Sequence, residues 1–313
     1  MTLKVYVDGQ HGTTGLQIVE ELRHHPDVSL IELPAEQRRD RDARADRLNQ
    51  ADVAILCLPD DAAIEAVSMI GSDHTRVIDA STAHRIAPGW VFGFPELDAG
   101  QRDRLRGATR IANPGCYAVG AISLLRPVMD AAVFRPDVGV TIIGLSGYTG
   151  GGKDLIAVHE TDPDPEPAAV YAMGMNHKHV PEIMAYGRLA TRPLFLPTVG
   201  HYAQGMLVSI PFRDTDLAPG VPASAVLEAL SERYRDEAFI SVRPADDTGW
   251  LERERFLRPD RLNGSNRLEQ AVYWNPKAGQ GVMISRLDNL GKGASRSAVQ
   301  LVNLIGGFPE DRA

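Results

Sequence analysis

Residues 3–8, Leu-Lys-Val-Tyr-Val-Asp, carry the apolar pattern of a buried strand, and after a glycine turn Leu16, Ile18, Val19 and Leu22 recur at helical spacing. A second strand is expected near Val28–Leu33, then a charged segment at Glu36–Arg47. A near-continuous apolar run at Ala51–Leu58 stops at Pro59, and a short strand follows at Arg76–Asp79. Strands alternating with helical stretches predict parallel βαβ units, apolar because helices cover both sheet faces. The first part of the chain therefore reads as an α/β, doubly wound region. Beyond Cys116 the pattern changes to a helix through about Met129, a strand at Val138–Leu145 and a glycine-rich stretch at Gly144–Gly152. The acidic, proline-spaced Asp162–Pro167 reads as an exposed loop. Strands at Met206–Phe212 and Ala271–Ile284, a helix at Ala223–Glu237 and a final helix at Ser295–Ile305 complete a second region.

The length of 313 residues corresponds to two domains at roughly 100–200 residues each, and 43% hydrophobic with 24% charged residues is a globular balance. No apolar stretch approaches the ~18 residues of a membrane span, and no basic-then-apolar signal segment opens the chain. The expectation is a cytoplasmic protein with no membrane partner. A net charge of −8, with five lysines among 33 basic residues, argues against a nucleic-acid surface. Cys57 and Cys116 cannot build a disulfide framework, and no paired Cys/His spacing suggests zinc, so no metal is expected.

Gly9-Gln10-His11-Gly12-Thr13-Thr14-Gly15 is a GxxGxxG turn between strand and helix, a variant of the dinucleotide fingerprint. Glycines let the backbone approach a pyrophosphate, and the helix N-terminus offers open N–H groups. Gly9, His11, Gly12, Thr13, Thr14 and Gly15 are the cofactor candidates. The acidic residue that would hold a ribose 2′-hydroxyl is at best Glu32, whereas Arg38, Arg39 and Arg41 follow closely and suit a 2′-phosphate. NADP is favoured over NAD; the alternative is that the Arg/Asp run is a solvated helix face.

Asn113-Pro114-Gly115-Cys116-Tyr117 places a thiol at the start of a predicted helix, where the dipole favours thiolate. The alternative is a small buried thiol, which is the reading for Cys57 inside the Ala54–Leu58 strand. Gly147–Asp154 matches GxxxxGK without the Ser/Thr that would bind magnesium, and is read as a turn presenting backbone donors near an active site. His177-Lys178-His179 sets two imidazoles at a spacing compatible with a metal on a strand, but nothing supplies the remaining ligands. A general acid/base histidine oriented by Glu182 is more economical, and His201 is a further candidate. A dinucleotide turn, a thiol at a helix start and a downstream histidine together describe NADP-linked chemistry at an acyl group.

Ala112–Tyr117 resembles the active-site signature of the N-acetyl-γ-glutamyl-phosphate reductase family. So do Asp79–Arg85, Gly93–Leu97, Ser146–Gly150, His177–Ile183 and Asp288–Ala294, in the same order, and the glycine turn is similar to the family's shorter form. The resemblance implies a Rossmann-type dinucleotide-binding domain at 1–115, rejoined by a C-terminal helix at about 291–313. An α+β catalytic and oligomerisation domain would occupy 116–290, in a GAPDH-like semialdehyde dehydrogenase architecture. It implies NADP(H), an acyl phosphate substrate, inorganic phosphate as product, and a homodimer or homotetramer. Cys116 would be the nucleophile and the His-Lys-His segment the base, with His179 preferred to His177 because Glu182 follows three residues on. Ser81 is assigned to the cofactor, Asn113 and Arg85 to the acyl phosphate, the Ser146–Gly147 turn to the thioester oxygen, and Tyr171 to the substrate pocket. The chain departs from the longer form's Ser-Gly-Ala-Gly-Arg at Ser146–Lys153. Aspartate-semialdehyde dehydrogenase, a carrier-linked lysine-pathway homologue, a non-catalytic NADP sensor and a cysteine hydrolase are the competing readings.

Overall fold

Val5, Tyr6 and Val7 are buried on both sides of the chain, and in the computed structural model, which describes residues 2–312, they make Leu3–Asp8 (β1) an interior strand. From there α1 (Thr13–Arg23) leads to β2 (Val28–Ile31), and α2 (Arg41–Gln50) to β3 (Val53–Leu56). Next come α3 (Asp60–Ser68), β4 (Arg76–Asp79), β5 (Val91–Phe92), α4 (Gln101–Gly107) and β6 (Arg110–Ala112). Among the described residues these strands form a six-stranded parallel sheet in the order β2-β1-β3-β4-β6-β5. The chain steps from β1 outward to β2 and then back past β1 to β3. The carboxyl ends of β1 and β3 are therefore the switch point of a doubly wound sheet, and the Gly9–Gly15 turn sits there.

Two strands are shorter than their apolar runs. Val28–Leu33 stops at Ile31, and Ala51–Leu58 contributes only Val53–Leu56. Cys57 thus lies just past β3 rather than inside it, its amide donating to the Asp8 carbonyl at 2.8 Å. The charged Glu36–Arg47 segment is also divided. A 3-10 turn at Ala35–Gln37 precedes Arg38 and Arg39, and α2 then starts at Arg41, capped by the Asp40 carboxylate on the Asp42 and Ala43 amides.

The second body begins with α5 (Cys116–Asp130), followed by β7 (Thr141–Gly147), α6 (Gly152–Thr161), β8 (Ala168–Val170), α7 (Val180–Gly187) and β9 (Leu194–Gly200). Then come β10 (Met206–Arg213), α8 (Ser224–Tyr234), β11 (Ile240–Val242), β12 (Leu268–Asn275) and β13 (Gln280–Leu287). Seven strands among the described residues form a mixed sheet, β11-β12-β13-β10-β7-β9-β8. Helix α5 packs on β10 and β13. Gly144 is required on the helix-facing side of β7, because a Cβ there would lie 2.3 Å from the Tyr117 ring. Alternation then turns Ile143 to the opposite face, and Leu196, its register partner on β9, with it; Leu194 lies two residues before Leu196 and shares that face. Ile143 and Leu194 are exposed there.

The apolar run Ala271–Ile284 is a hairpin rather than one strand. Asn275–Gly279 turns the chain, and Gly279 has φ +59°. The last helix, α9 (Arg296–Gly306), follows a π-helical turn at Gly291–Ser295. The chain divides into two units, one of Met1–Pro95, Ala99–Gly115 and Ala294–Ala313, the other of Glu96–Asp98 and Cys116–Gly293. In the first, Ala298, Leu301 and Val302 of α9 share a core with Val5, Ile18 and Ile78. No helix among the described residues is long and apolar enough to cross a membrane.

Candidate active site

The glycine turn of the first unit is shaped by close backbone approach. Gly9 has φ +86°, and a Cβ on it would lie 2.3 Å from the Cys57 carbonyl oxygen; one on Gly15 would lie 2.4 Å from the Gly9 oxygen. The Gly12 amide donates to the Gly9 carbonyl at 2.9 Å, so the turn closes on itself. Helix α1 starts without a side-chain cap and without an acidic residue in its first turn. Among the described residues the Thr13, Thr14 and Gly15 amides have no acceptor, and the buried His11 Nε2 has no hydrogen-bond partner. A cradle that glycine alone can form, ending in unspent donors at a positive helix end, fits a dinucleotide pyrophosphate.

Around this turn the ends of the strands are polar. Asp8, the last residue of β1, accepts from Arg44 Nη2 at 2.9 Å and Nε at 3.2 Å. No sequence pattern singles out Arg44; the partners are 36 residues apart. Glu32 pairs with Arg23 at 3.5 Å on the surface, and Arg41 with Glu65 at 3.7 Å. Arg38 and Arg39 are exposed behind the 3-10 turn and engage no carboxylate among the described residues. Ser81 is committed locally: its hydroxyl donates to Asp79 Oδ2 at 2.6 Å, the same oxygen that His84 Nδ1 meets at 2.6 Å. Arg85 is buried, with Nη2 donating to the Ala80 carbonyl at 3.3 Å. Asn113 is buried, its Nδ2 donating to the Ala294 carbonyl at 3.1 Å, while Oδ1 has no partner among the described residues.

In the second unit Cys116 is the first residue of α5 and half-buried. The next two amides of the helix, on Tyr117 and Ala118, donate to no group among the described residues, as expected of a first helical turn. The Tyr117 ring stands 5.8 Å from the His177 ring and 6.1 Å from the His179 ring, centroid to centroid, and its hydroxyl donates to the Thr198 carbonyl at 3.1 Å. His177 and His179 lie edge-on at 4.7 Å. His177 Nδ1 accepts the His179 amide at 3.1 Å, so in the neutral ring the proton sits on Nε2, which faces the Tyr171 hydroxyl at 3.5 Å. Tyr171 is exposed along one edge, but desolvation of its hydroxyl pushes that group up to about 12, and the charge of a Cys116 thiolate adds to the rise. His179 is buried at the N-cap of α7, and Glu182 is buried in that helix's first turn. Tyr117, Tyr171, His177 and His179 thus form one group, and Cys116 precedes Tyr117 in the chain. Cys57, by contrast, has its thiol pushed up to about 12, by desolvation first and then by Asp79 and Asp8.

One expectation is corrected in part. In the Gly147–Asp154 turn the Gly147, Tyr148 and Thr149 amides are not free donors, being consumed by the Gly205, Tyr202 and Ala203 carbonyls. Ser146 Oγ donates to the Gly147 carbonyl at 3.1 Å. The His-Lys-His segment is a turn entering α7. His201 belongs to a separate group, its Nδ1 3.0 Å from His159 Nδ1, with the His159 ring stacked on Tyr148.

Residues 4–105 match the model of the semialdehyde dehydrogenase NAD binding domain, and residues 116–289 that of the semialdehyde dehydrogenase dimerisation domain. The chain is 45% identical to the N-acetyl-gamma-glutamyl-phosphate reductase of Brucella suis over 310 residues, covering 97% of this chain and 99% of the relative. Over the same span it is 44% identical to that of Allorhizobium ampelinum. Among solved structures, aspartate semialdehyde dehydrogenase II complexed with ASA from Vibrio cholerae superposes with a TM-score of 0.72 at 15% identity, covering 98% of this chain and 99% of that one. Aspartate semialdehyde dehydrogenase with NADP from Candida albicans gives 0.66 at 15%, with 98% and 99% covered. Those likenesses show a shared fold. With relatives this similar over nearly its whole length, the chain belongs to the N-acetyl-gamma-glutamyl-phosphate reductase family of semialdehyde dehydrogenases.

Proposed function

We propose that the protein reduces N-acetylglutamyl 5-phosphate to N-acetylglutamate 5-semialdehyde with NADPH, releasing inorganic phosphate, as a step of arginine biosynthesis. The observation that carries the chemistry is the thiol on the first residue of α5, whose chain neighbour Tyr117 packs against His177 and His179, in a chain 45% identical to reductases so named. His179 accepts the Cys116 proton, and the sulfur attacks the acyl carbonyl. The C–O bond to phosphate breaks, a thioester forms, and the departing phosphate takes up a proton from solvent. The Tyr117 and Ala118 amides and the α5 dipole stabilise the oxyanion, a role that the occupied Gly147 amide does not fill. NADPH, when bound, supplies the hydride that takes the thioester to the aldehyde. His179 returns its proton as the C–S bond breaks, and Cys116 leaves as the free thiol. His177, its Nδ1 spent on the His179 amide, orients the pair rather than exchanging protons. Arg85 and Asn113 serve the phosphate, and Arg38 with Arg39 the cofactor's 2′-phosphate.

The test runs the reverse reaction: N-acetylglutamate semialdehyde, phosphate and NADP are expected to give phosphate-dependent NADPH absorbance. Signal with aspartate semialdehyde alone would move the substrate. The region matching a dimerisation domain carries the exposed Ile143–Leu194 face, and this face is proposed to join copies into a homodimer or homotetramer. Sedimentation of the same preparation at the mass of one chain would remove that reading.

Gly12 separates cofactor binding from folding. A Cβ there would come no closer than 3.4 Å to the protein, unlike at Gly9 or Gly15. Gly12→Leu is therefore expected to leave the thermal midpoint within a few degrees while weakening NADPH binding by about tenfold or more. Unchanged affinity in a fluorescence titration would take the pyrophosphate away from this turn.

A further inference from the structure

Two of the family-like segments, Gly93–Leu97 and Asp288–Ala294, supply nothing to the reaction derived above, yet Glu96 of the first and Lys292 of the second meet inside the second unit. Lys292 Nζ donates to Glu96 Oε1 at 2.7 Å, and both side chains are wholly buried. Lys292 Nζ also stands 5.2 Å from the Phe239 ring centroid, and Arg233 Nη2 donates to the Glu96 carbonyl at 2.6 Å. A buried ion pair is a weak source of stability, because desolvation offsets much of its attraction; one attested use is to fix a single arrangement of the chain.

The arrangement in question is the turn behind the nucleophile. The Gly293 amide donates to the Asp288 carbonyl at 2.9 Å, five residues back, a π-type bond of the kind that recurs at functional sites. The start of this turn is tied by side chains: Asp288 accepts the Gly264 amide at 2.8 Å, and Asn289 accepts the Gly205 amide at 2.8 Å and donates to Thr149 Oγ1 at 3.0 Å. Its far end is tied through Lys292. The next residue, Gly293, lies directly against the thiol-bearing residue, since a Cβ on it would be 2.7 Å from Cys116 Cβ and 3.2 Å from Cys116 Cα.

We infer that the Glu96–Lys292 ion pair is a positioning device for Cys116: it seats the Gly293 backbone against Cys116 and so fixes the sulfur at the first turn of α5. The kinetic consequence rests on the function proposed above; the physical one does not, because thiol reactivity is measured without substrate.

The test is the double variant Glu96→Gln/Lys292→Met, which removes both charges at little change in volume and strands neither ion. Alkylation of Cys116 by iodoacetamide is followed from pH 6 to 10, with the thermal midpoint and NADPH binding as controls. Cys57 stays silent near neutrality, its thiol being pushed up to about 12. The expected result is a folded protein that binds NADPH as the parent does but whose Cys116 is alkylated about tenfold more slowly near pH 7.5. Its kcat on N-acetylglutamate semialdehyde falls at least as far, with KM little changed. A folded double variant alkylated within about twofold of the parent across the range overturns the inference. Should that variant not fold, Glu96→Asp keeps both charges and shortens the reach by one methylene; alkylation slowed about threefold supports the positioning role, and an unchanged rate overturns it. Slowed alkylation in a protein inactive on the semialdehyde would sink the proposed reaction and leave the positioning intact.

Discussion

Replacing Cys116 by alanine removes turnover, with kcat falling by about 10⁴-fold or more, while NADPH binds as tightly as before. The two effects separate because the thiol and the glycine turn belong to different units of the chain. Cys57 offers no substitute: with its thiol pushed up to about 12 it stays protonated at neutral pH, and a protonated thiol is a poor nucleophile. The measurement is phosphate-dependent NADPH formation alongside a fluorescence titration of NADPH. Activity of the alanine variant within about a hundredfold of the parent would exclude a thioester on Cys116, since the backbone dipoles that remain do not provide an acyl acceptor.

His179→Asn is expected to lower kcat by about 10²–10⁴-fold, the range of general acid–base catalysis by a positioned side chain. Asparagine keeps a polar group at the start of α7 and cannot take a proton. The sign follows from the role. A base must be neutral to act, so the parent's kcat/KM falls on the acid side of the histidine's titration, and in the variant that acid limb is lost. The variant's full pH profile decides the matter: an acid limb that survives with kcat within about tenfold of the parent transfers the base to His177. The hydrogen bond from the His179 amide to His177 Nδ1 argues against that outcome, because it occupies the nitrogen that would otherwise accept.

What could be read from the chain was what is encoded by neighbours in sequence. The turn at Gly9–Gly15 announces itself because glycine is forced there: a Cβ at Gly9 or Gly15 would collide with backbone. Strands β1 and β4 have the ends their apolar runs suggest, and Cys116 opens α5 behind a proline and a glycine. The hairpin of β12 and β13 is signalled in the sequence by Asn275-Pro276-Lys277-Ala278-Gly279, a turn cluster between two apolar stretches. The fate of the Gly147–Thr149 amides was not legible, since they pair with residues 202–205, more than fifty positions away. Nor were the buried pairs Asp8–Arg44 and Glu96–Lys292, the second joining residues 196 positions apart. Charged residues at such positions look like surface until the fold encloses them.

The interleaving of the two units has a consequence for the order in which the protein can be made. Ala298, Leu301 and Val302 of α9 are part of the core that covers β1 and α1, yet nearly three hundred residues separate them from Val5. During synthesis the amino-terminal sheet emerges first and waits, one apolar face uncovered, until the last turns of the chain leave the exit tunnel. The usual vectorial sequence, in which an upstream domain completes itself before the next is translated, is closed to this topology. The dinucleotide-binding unit, whose first strand is translated before any of the second unit, gains α9 only after the second unit has been made.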